Sequence, residues 1–176
     1  MTKGENKMYS ELDEVINASP EAPRYNISYP TELYSEILPG LWVGGTDDND
    51  IYEQLEKPMI RKEHFDTVFT AYACANPVDW FVKEIRYGFY DSHLEGKSGF
   101  NPEELDDIAS MAYADWKKGK RVLTRCQAGL NRSSFLCVLI MMKDGYTADD
   151  AIALIREKRS KYALFNKTFV DYLKSL

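Results

Sequence analysis

The sequence is poor in the residues that bind small proteins together by covalent or metal links. Among 176 residues there are three cysteines, Cys74, Cys126 and Cys137, and two histidines, His64 and His93. An odd, low cysteine count without CxxC spacing does not suggest a disulfide framework. Neither histidine stands near a cysteine pair, so no zinc site is expected. Long apolar runs are missing as well. The longest, residues 134–142, is about half of the roughly 18 residues that cross a bilayer. The opening residues MTKGENKMYSELDEV contain no apolar core of the kind a secretory leader needs. Together these absences lead us to expect a soluble, intracellular protein in the reducing cytoplasm. Positive charge is outnumbered, 22 lysines and arginines against 28 aspartates and glutamates, and the formal net charge is −6. That disfavours broad binding to nucleic acid or to an anionic membrane, which needs a basic face. A small anion site remains compatible, because backbone amides and one arginine can build it.

What is present suits one compact catalytic domain. Apolar residues make up 44% and charged residues 28%, enough for a core with an ordinary surface. Residues 1–35 are polar and hold Pro20, Pro23 and Pro30, which predicts a partly flexible arm before a domain over residues 36–176. A short helix within residues 10–17 is compatible with the arm.

Beyond the arm, helical and strand patterns alternate. Leu41, Trp42 and Val43 follow a Pro39-Gly40 turn and read as a strand; Tyr52 and Leu55 fall in a helix or loop. Residues 66–72 (DTVFTAY) are β-branched and aromatic, as in a buried strand. Residues 84–90 alternate, with Ile85, Tyr87 and Phe89 on one face. Asn101 and Pro102 are suited to open a helix, with Leu105, Ile108, Ala112 and Trp116 on one side and Gly119 at its end. Residues 121–125 (RVLTR) form a short strand. An apolar helix runs over residues 132–144, and Thr147 with Asp150 resembles a capping box for the next. A last helix is expected over residues 167–173. The order predicts an α/β fold, a central mostly parallel sheet flanked by helices.

The chemistry concentrates in residues 122–135, VLTRCQAGLNRSSF. An apolar strand ends at Cys126. Five residues including Gly129 follow, then Arg132, Ser133 and a helix. Such a loop can curl so that successive N–H groups face inward and hold an anion at the helix N-terminus. Arg132 can close the ring with a planar, two-pronged grip on phosphate oxygens. The same positive environment favours a thiolate at the loop's start, the nucleophilic form of cysteine. Ser133 is near enough along the chain to hydrogen-bond that sulfur.

Cys126 to Arg132 matches the C-x5-R signature of the cysteine-dependent protein tyrosine phosphatase superfamily, and Ser133 extends it. The chain resembles the dual-specificity branch, and among its members the small bacterial and phage ones. The resemblance implies that fold, with Cys126 as nucleophile and phosphate held by Gln127, Ala128, Gly129, Leu130, Asn131 and Arg132. It also implies an aspartic acid/base upstream. Asp91 stands 35 residues before Cys126, after the strand pattern and before a loop with two glycines; Glu95 is its understudy. ILPGLWVG at residues 37–44 and YALFNKTF at residues 162–169 are similar to the opening and closing segments of that domain. Two departures stand out. Phe89-Tyr90-Asp91 replaces the Trp-Pro-Asp of tyrosine-specific relatives. Arg125 replaces the usual histidine before the cysteine, keeping a positive charge there without its hydrogen bonds.

The implied reaction is phosphomonoester hydrolysis on phosphorylated protein, at tyrosine and also at serine or threonine, through a phosphocysteine and without metal or other cofactor. Two alternatives stay open: an RNA 5′-triphosphatase, from the likeness of Leu130-Asn131-Arg132, and a pseudophosphatase that binds phosphate without turnover. Phosphoinositides fit less well, since residues 127–131 contain no lysine. Cys137 reads as core. Asp106, Asp107 and Asp115 read as a solvated helix face, His93 as a loop-supporting residue, and residues 117–121 as a charged turn.

Overall fold

The computed structural model describes residues 30–46, 65–92 and 99–176. The expectations for residues 10–17, Tyr52, Leu55, His64, His93 and Glu95 concern residues outside them. Among the described residues, five strands form one sheet: β1 (Tyr34–Leu38), β2 (Leu41–Gly44), β3 (Thr67–Thr70), β4 (Lys83–Arg86) and β5 (Val122–Arg125). Their order is β1-β2-β5-β3-β4. Only β1 runs antiparallel, against β2; the other pairings are parallel. β5 is therefore central and buried at every position, which explains its apolar, β-branched sequence.

Among the described residues, the helices are α1 (Pro102–Lys117), α2 (Arg132–Lys143), α3 (Ala148–Lys158) and α4 (Lys167–Ser175). Side chains alternate across the sheet. Leu41, Val43, Phe69 and Val122 meet the helices in the main core. Val68 and Leu123 point to the other face and pack with Phe65 and Val82. Asn101 caps α1, its Oδ1 accepting from the N–H of Glu103 at 2.9 Å. Thr147 caps α3, accepting from the N–H of Asp150 at 3.1 Å.

Three sequence expectations change. β1 begins at Tyr34, within the stretch expected to be an arm; its sequence gives little sign of a strand because Ile37 is the only apolar residue buried in it. The strand expected over residues 84–90 spans only Lys83–Arg86, with one further bond from the Tyr87 N–H to the Thr70 carbonyl at 2.9 Å, although Phe89 does enter the core. Asp115 is not on a solvated face. It is 5% exposed and accepts from Thr67 Oγ1 at 2.9 Å, Lys83 Nζ at 2.8 Å and Lys120 Nζ at 2.8 Å. Burial alone would raise its pKa, but these three donors hold the carboxyl well below its ordinary value.

Candidate active site

The central strand β5 delivers Cys126 to the carboxyl edge of the parallel sheet, where α/β folds bind ligands. Cys126 is 2% exposed, and its N–H donates to the Gly44 carbonyl at 3.2 Å. From there the loop's carbonyls are drawn outward one after another. That of Gln127 accepts from the N–H of Thr46 at 3.1 Å. Those of Ala128 and Gly129 accept from Arg159, Nη2 at 3.4 Å and Nε at 3.1 Å. That of Leu130 accepts from the N–H of Leu164 at 3.0 Å. A trans peptide points its N–H opposite to its C=O. The N–H groups of Ala128, Gly129, Leu130 and Asn131 therefore turn toward the inside of the loop, where α2 begins. The result is an anion nest at a helix N-terminus.

Gly129 is required by this curl. Its φ is +68°, and a Cβ there would stand 2.5 Å from the Gly44 carbonyl carbon and 2.6 Å from Arg159 Nη2. No side chain fits.

Arg132 closes the loop. Its Nη1 donates to the carbonyls of Phe89 at 3.1 Å and Ala71 at 3.4 Å, and its Cζ lies 5.2 Å from the centre of the Tyr72 ring. Its Nε is buried and meets no acceptor among the described residues. A buried, unsatisfied N–H of a charged group is costly, and a bound oxyanion is the group that would satisfy it. Ser133 is fully buried in the first turn of α2, with Oγ 3.3 Å from Cys126 Sγ.

Asp91 joins this group from the segment after β4. Its Oδ2 accepts from Asn131 Nδ2 at 3.0 Å and its Oδ1 from Asn166 Nδ2 at 2.7 Å. Two residues earlier, Phe89 sits in an aromatic cluster with Phe135 of α2 and Phe169 of α4, themselves stacked at 4.7 Å. The cluster anchors the segment that carries Asp91.

Arg125 does not turn its charge toward the sulfur. Its guanidinium is 2% exposed and pairs with Glu84 at 3.0 Å. It also donates to Thr70 Oγ1 at 2.9 Å and the Asn76 carbonyl at 2.6 Å. Burial raises the Glu84 pKa, but hydrogen bonds from Thr70 and Arg125 and the neighbouring cations leave it below the ordinary value. The positive charge expected beside Cys126 is thus neutralised by Glu84. Arg125 ties β3, β4 and the loop after β3 together.

The sequence does not mark Arg159 or Asn166 as site residues, and it marks Asn131 only as part of the phosphate-holding loop, not for its contact with Asp91. Arg159 caps α3 and looks, in sequence, like a solvated helix end. Its targets are carbonyl groups that no residue pattern announces. Cys137 is buried, and burial pushes its thiol pKa up; Cys74 is exposed. Among the described residues, no group of three or more histidine, cysteine or acidic side chains is placed to hold a metal. No described helix is long and apolar enough to cross a membrane.

Comparison with known proteins bears on the same residues. The family model for the catalytic domain of dual specificity phosphatases matches residues 49–175. Dual specificity protein phosphatase 1 of Homo sapiens is 27% identical over 145 residues, covering 81% of this chain and 36% of that protein. Its form 1-B from Xenopus laevis is 28% identical over 127 residues, covering 71% of this chain and 32% of that protein. The chain thus spans about a third of the length of these curated relatives. Among solved structures, human DUSP28 aligns with a TM-score of 0.67 at 18% identity, covering 85% of this chain and 95% of that one. The human tyrosine phosphatase-like serine/threonine/tyrosine-interacting protein aligns at 0.61 and 21% identity, covering 81% and 93%. At such identities the likeness is one of fold.

Proposed function

The chain belongs to the dual-specificity phosphatase family, and from that premise we propose that it hydrolyses phosphomonoesters on protein tyrosine, and on serine or threonine, through a phosphocysteine at Cys126. In this reading the catalytic domain expected over residues 36–176 also takes in the start of β1 at Tyr34, the residues before it are an arm, and the protein works in the cytoplasm. The Cys126 thiolate attacks phosphorus in line, and the bond to the substrate oxygen breaks. The backbone N–H groups of residues 127–132, with those of residues 128–131 turned inward, and the Arg132 guanidinium hold the three non-bridging oxygens, where charge develops. Asp91 gives its proton to the departing oxygen. Water then attacks the phosphocysteine and Asp91 takes its proton. The sulfur leaves with a hydrogen bond from Ser133, and inorganic phosphate is released.

One observation carries this reading: Arg132 has a buried Nε without an acceptor among the described residues, on the residue that closes a loop of inward N–H groups. A second reading, phosphate binding without turnover, draws on Arg125, whose charge Glu84 neutralises. Release of phosphate from para-nitrophenyl phosphate in metal-free buffer separates them. The phosphatase reading requires turnover by the native chain and its loss in Cys126→Ser. A folded, reduced native chain that binds tungstate without turnover would establish the binding module instead.

A further inference from the structure

Asn131 and Asn166 stand at helix N-caps, yet both spend their amide groups on the same carboxylate. Asn131 occupies the N-cap position of α2 and makes no side-chain cap bond there, the use for which asparagine is favoured at that position. Its Nδ2 donates to Asp91 Oδ2 at 3.0 Å. Asn166 caps α4, its Oδ1 accepting from the N–H of Thr168 at 3.0 Å, while its Nδ2 donates to Asp91 Oδ1 at 2.7 Å and to the Ser92 carbonyl at 3.0 Å.

Neither amide is free to rotate. Asn131 Oδ1 accepts from the backbone N–H of Asn166 at 3.1 Å, and Asn166 Oδ1 from that of Thr168. Turning either amide over would set NH2 against N–H. The backbone therefore dictates that both NH2 groups face Asp91. Both asparagines are essentially buried, at 2% and 0% exposed. The turn that brings Asn166 into place contains Leu164 at φ +54°, a conformation bulky residues rarely adopt. Its N–H bonds the Leu130 carbonyl of the anion loop at 3.0 Å. Strain of that kind persists where the surrounding structure over-determines it.

We infer that Asn131 and Asn166 form a positioning clamp that aligns the Asp91 carboxyl over the anion loop, making proton delivery to the leaving oxygen depend on the segment before α4. This rests on the phosphatase reading and on Asp91 as its acid. The clamp acts through Asp91 and touches no reacting atom. Its effect must then grow with the need of the leaving group for a proton.

Asn166→Ser separates the clamp from the cap, because serine caps helices as well as asparagine does but carries no NH2. Hydrolysis of dinitrophenyl phosphate, whose leaving group needs little protonation, is compared with that of phenyl phosphate, whose leaving group needs it. We expect kcat/KM, which covers only the steps up to departure of the leaving oxygen, to fall about 10- to 100-fold on phenyl phosphate and only about 2- to 3-fold on dinitrophenyl phosphate. Added to Asp91→Ala, the substitution should cause no further loss on either substrate. Equal losses on both substrates, or a further loss in the Asp91→Ala background, would overturn the clamp while leaving the phosphatase reading standing. A native chain that hydrolyses neither ester would overturn both. Asn131→Ser, which removes the other NH2, should reproduce the same leaving-group bias; an unbiased loss there would also count against the clamp.

Discussion

Arg159 Nε donates to the carbonyl oxygen of Gly129 at 3.1 Å, so a residue at the end of α3 holds the anion loop from 30 positions downstream. The same guanidinium reaches the Glu32 carbonyl at 2.7 Å and Ser35 Oγ at 3.2 Å, tying the entry to β1 to that loop. Arg159 is 6% exposed. Losing it leaves several buried acceptors without donors, each costing about 1–3 kcal/mol. Arg159→Ala should lower stability by about 3 kcal/mol and kcat/KM at least about 10-fold. Arg159→Lys should do nearly as badly, since one ammonium cannot span these acceptors. Thermal melting alongside initial rates checks both; wild-type behaviour of the lysine variant would remove Arg159 from the account.

The same geometry makes Gly129 a sensitive position. Alanine there must take φ +68° and place a methyl group 2.5 Å from Gly44 backbone. Gly129→Ala should unseat the loop and reduce turnover by about 100-fold or more. Tungstate titration should show weakened anion binding in parallel. Retained tungstate affinity would mean that the curl of the loop is not what binds the anion.

Acid should expose the carboxylates that the fold has depressed. Asp115 and Glu84 both lie below their ordinary values of 3.8 and 4.5. A carboxyl with a depressed folded-state pKa stabilises fully above its unfolded value and loses that contribution as pH falls through the folded value. Stability to urea should therefore hold from neutrality to about pH 5 and decline below it. Asp115→Asn should flatten that decline and lower stability at neutral pH by about 1–2 kcal/mol, because Lys83 and Lys120 lose their partner but stay solvated. An unchanged acid profile in Asp115→Asn would assign the decline to other groups.

The parts of this molecule differ in how far their sequence announces them. Cys126, Arg132 and Ser133 lie within eight consecutive positions, so strand, loop and helix N-terminus already determine their proximity. The Asn101 and Thr147 caps are equally local. Asp115, Arg125 and Arg159 are the opposite case. Each is a charged residue whose burial depends on partners from distant strands or loops: Thr67 and Lys83, Thr70 and Glu84, Ala128 and Gly129. Local pattern assigns such residues to solvent because unpaired charges belong there. β1 was hidden for a related reason, as an edge strand with little apolar alternation.

The covalent intermediate is the most direct test of the central claim. Ser133 Oγ lies 3.3 Å from Cys126 Sγ, and in the proposed mechanism it eases departure of the sulfur in the second step. Ser133→Ala should accordingly slow hydrolysis of the intermediate more than its formation, with a burst of para-nitrophenol followed by turnover lowered about 10- to 100-fold. Rapid quenching of that variant with substrate, then peptide mass spectrometry, should find a phosphoryl group on Cys126 and none in Cys126→Ser. Turnover by the native chain without phosphate on Cys126, or with phosphate on another residue, would contradict the account.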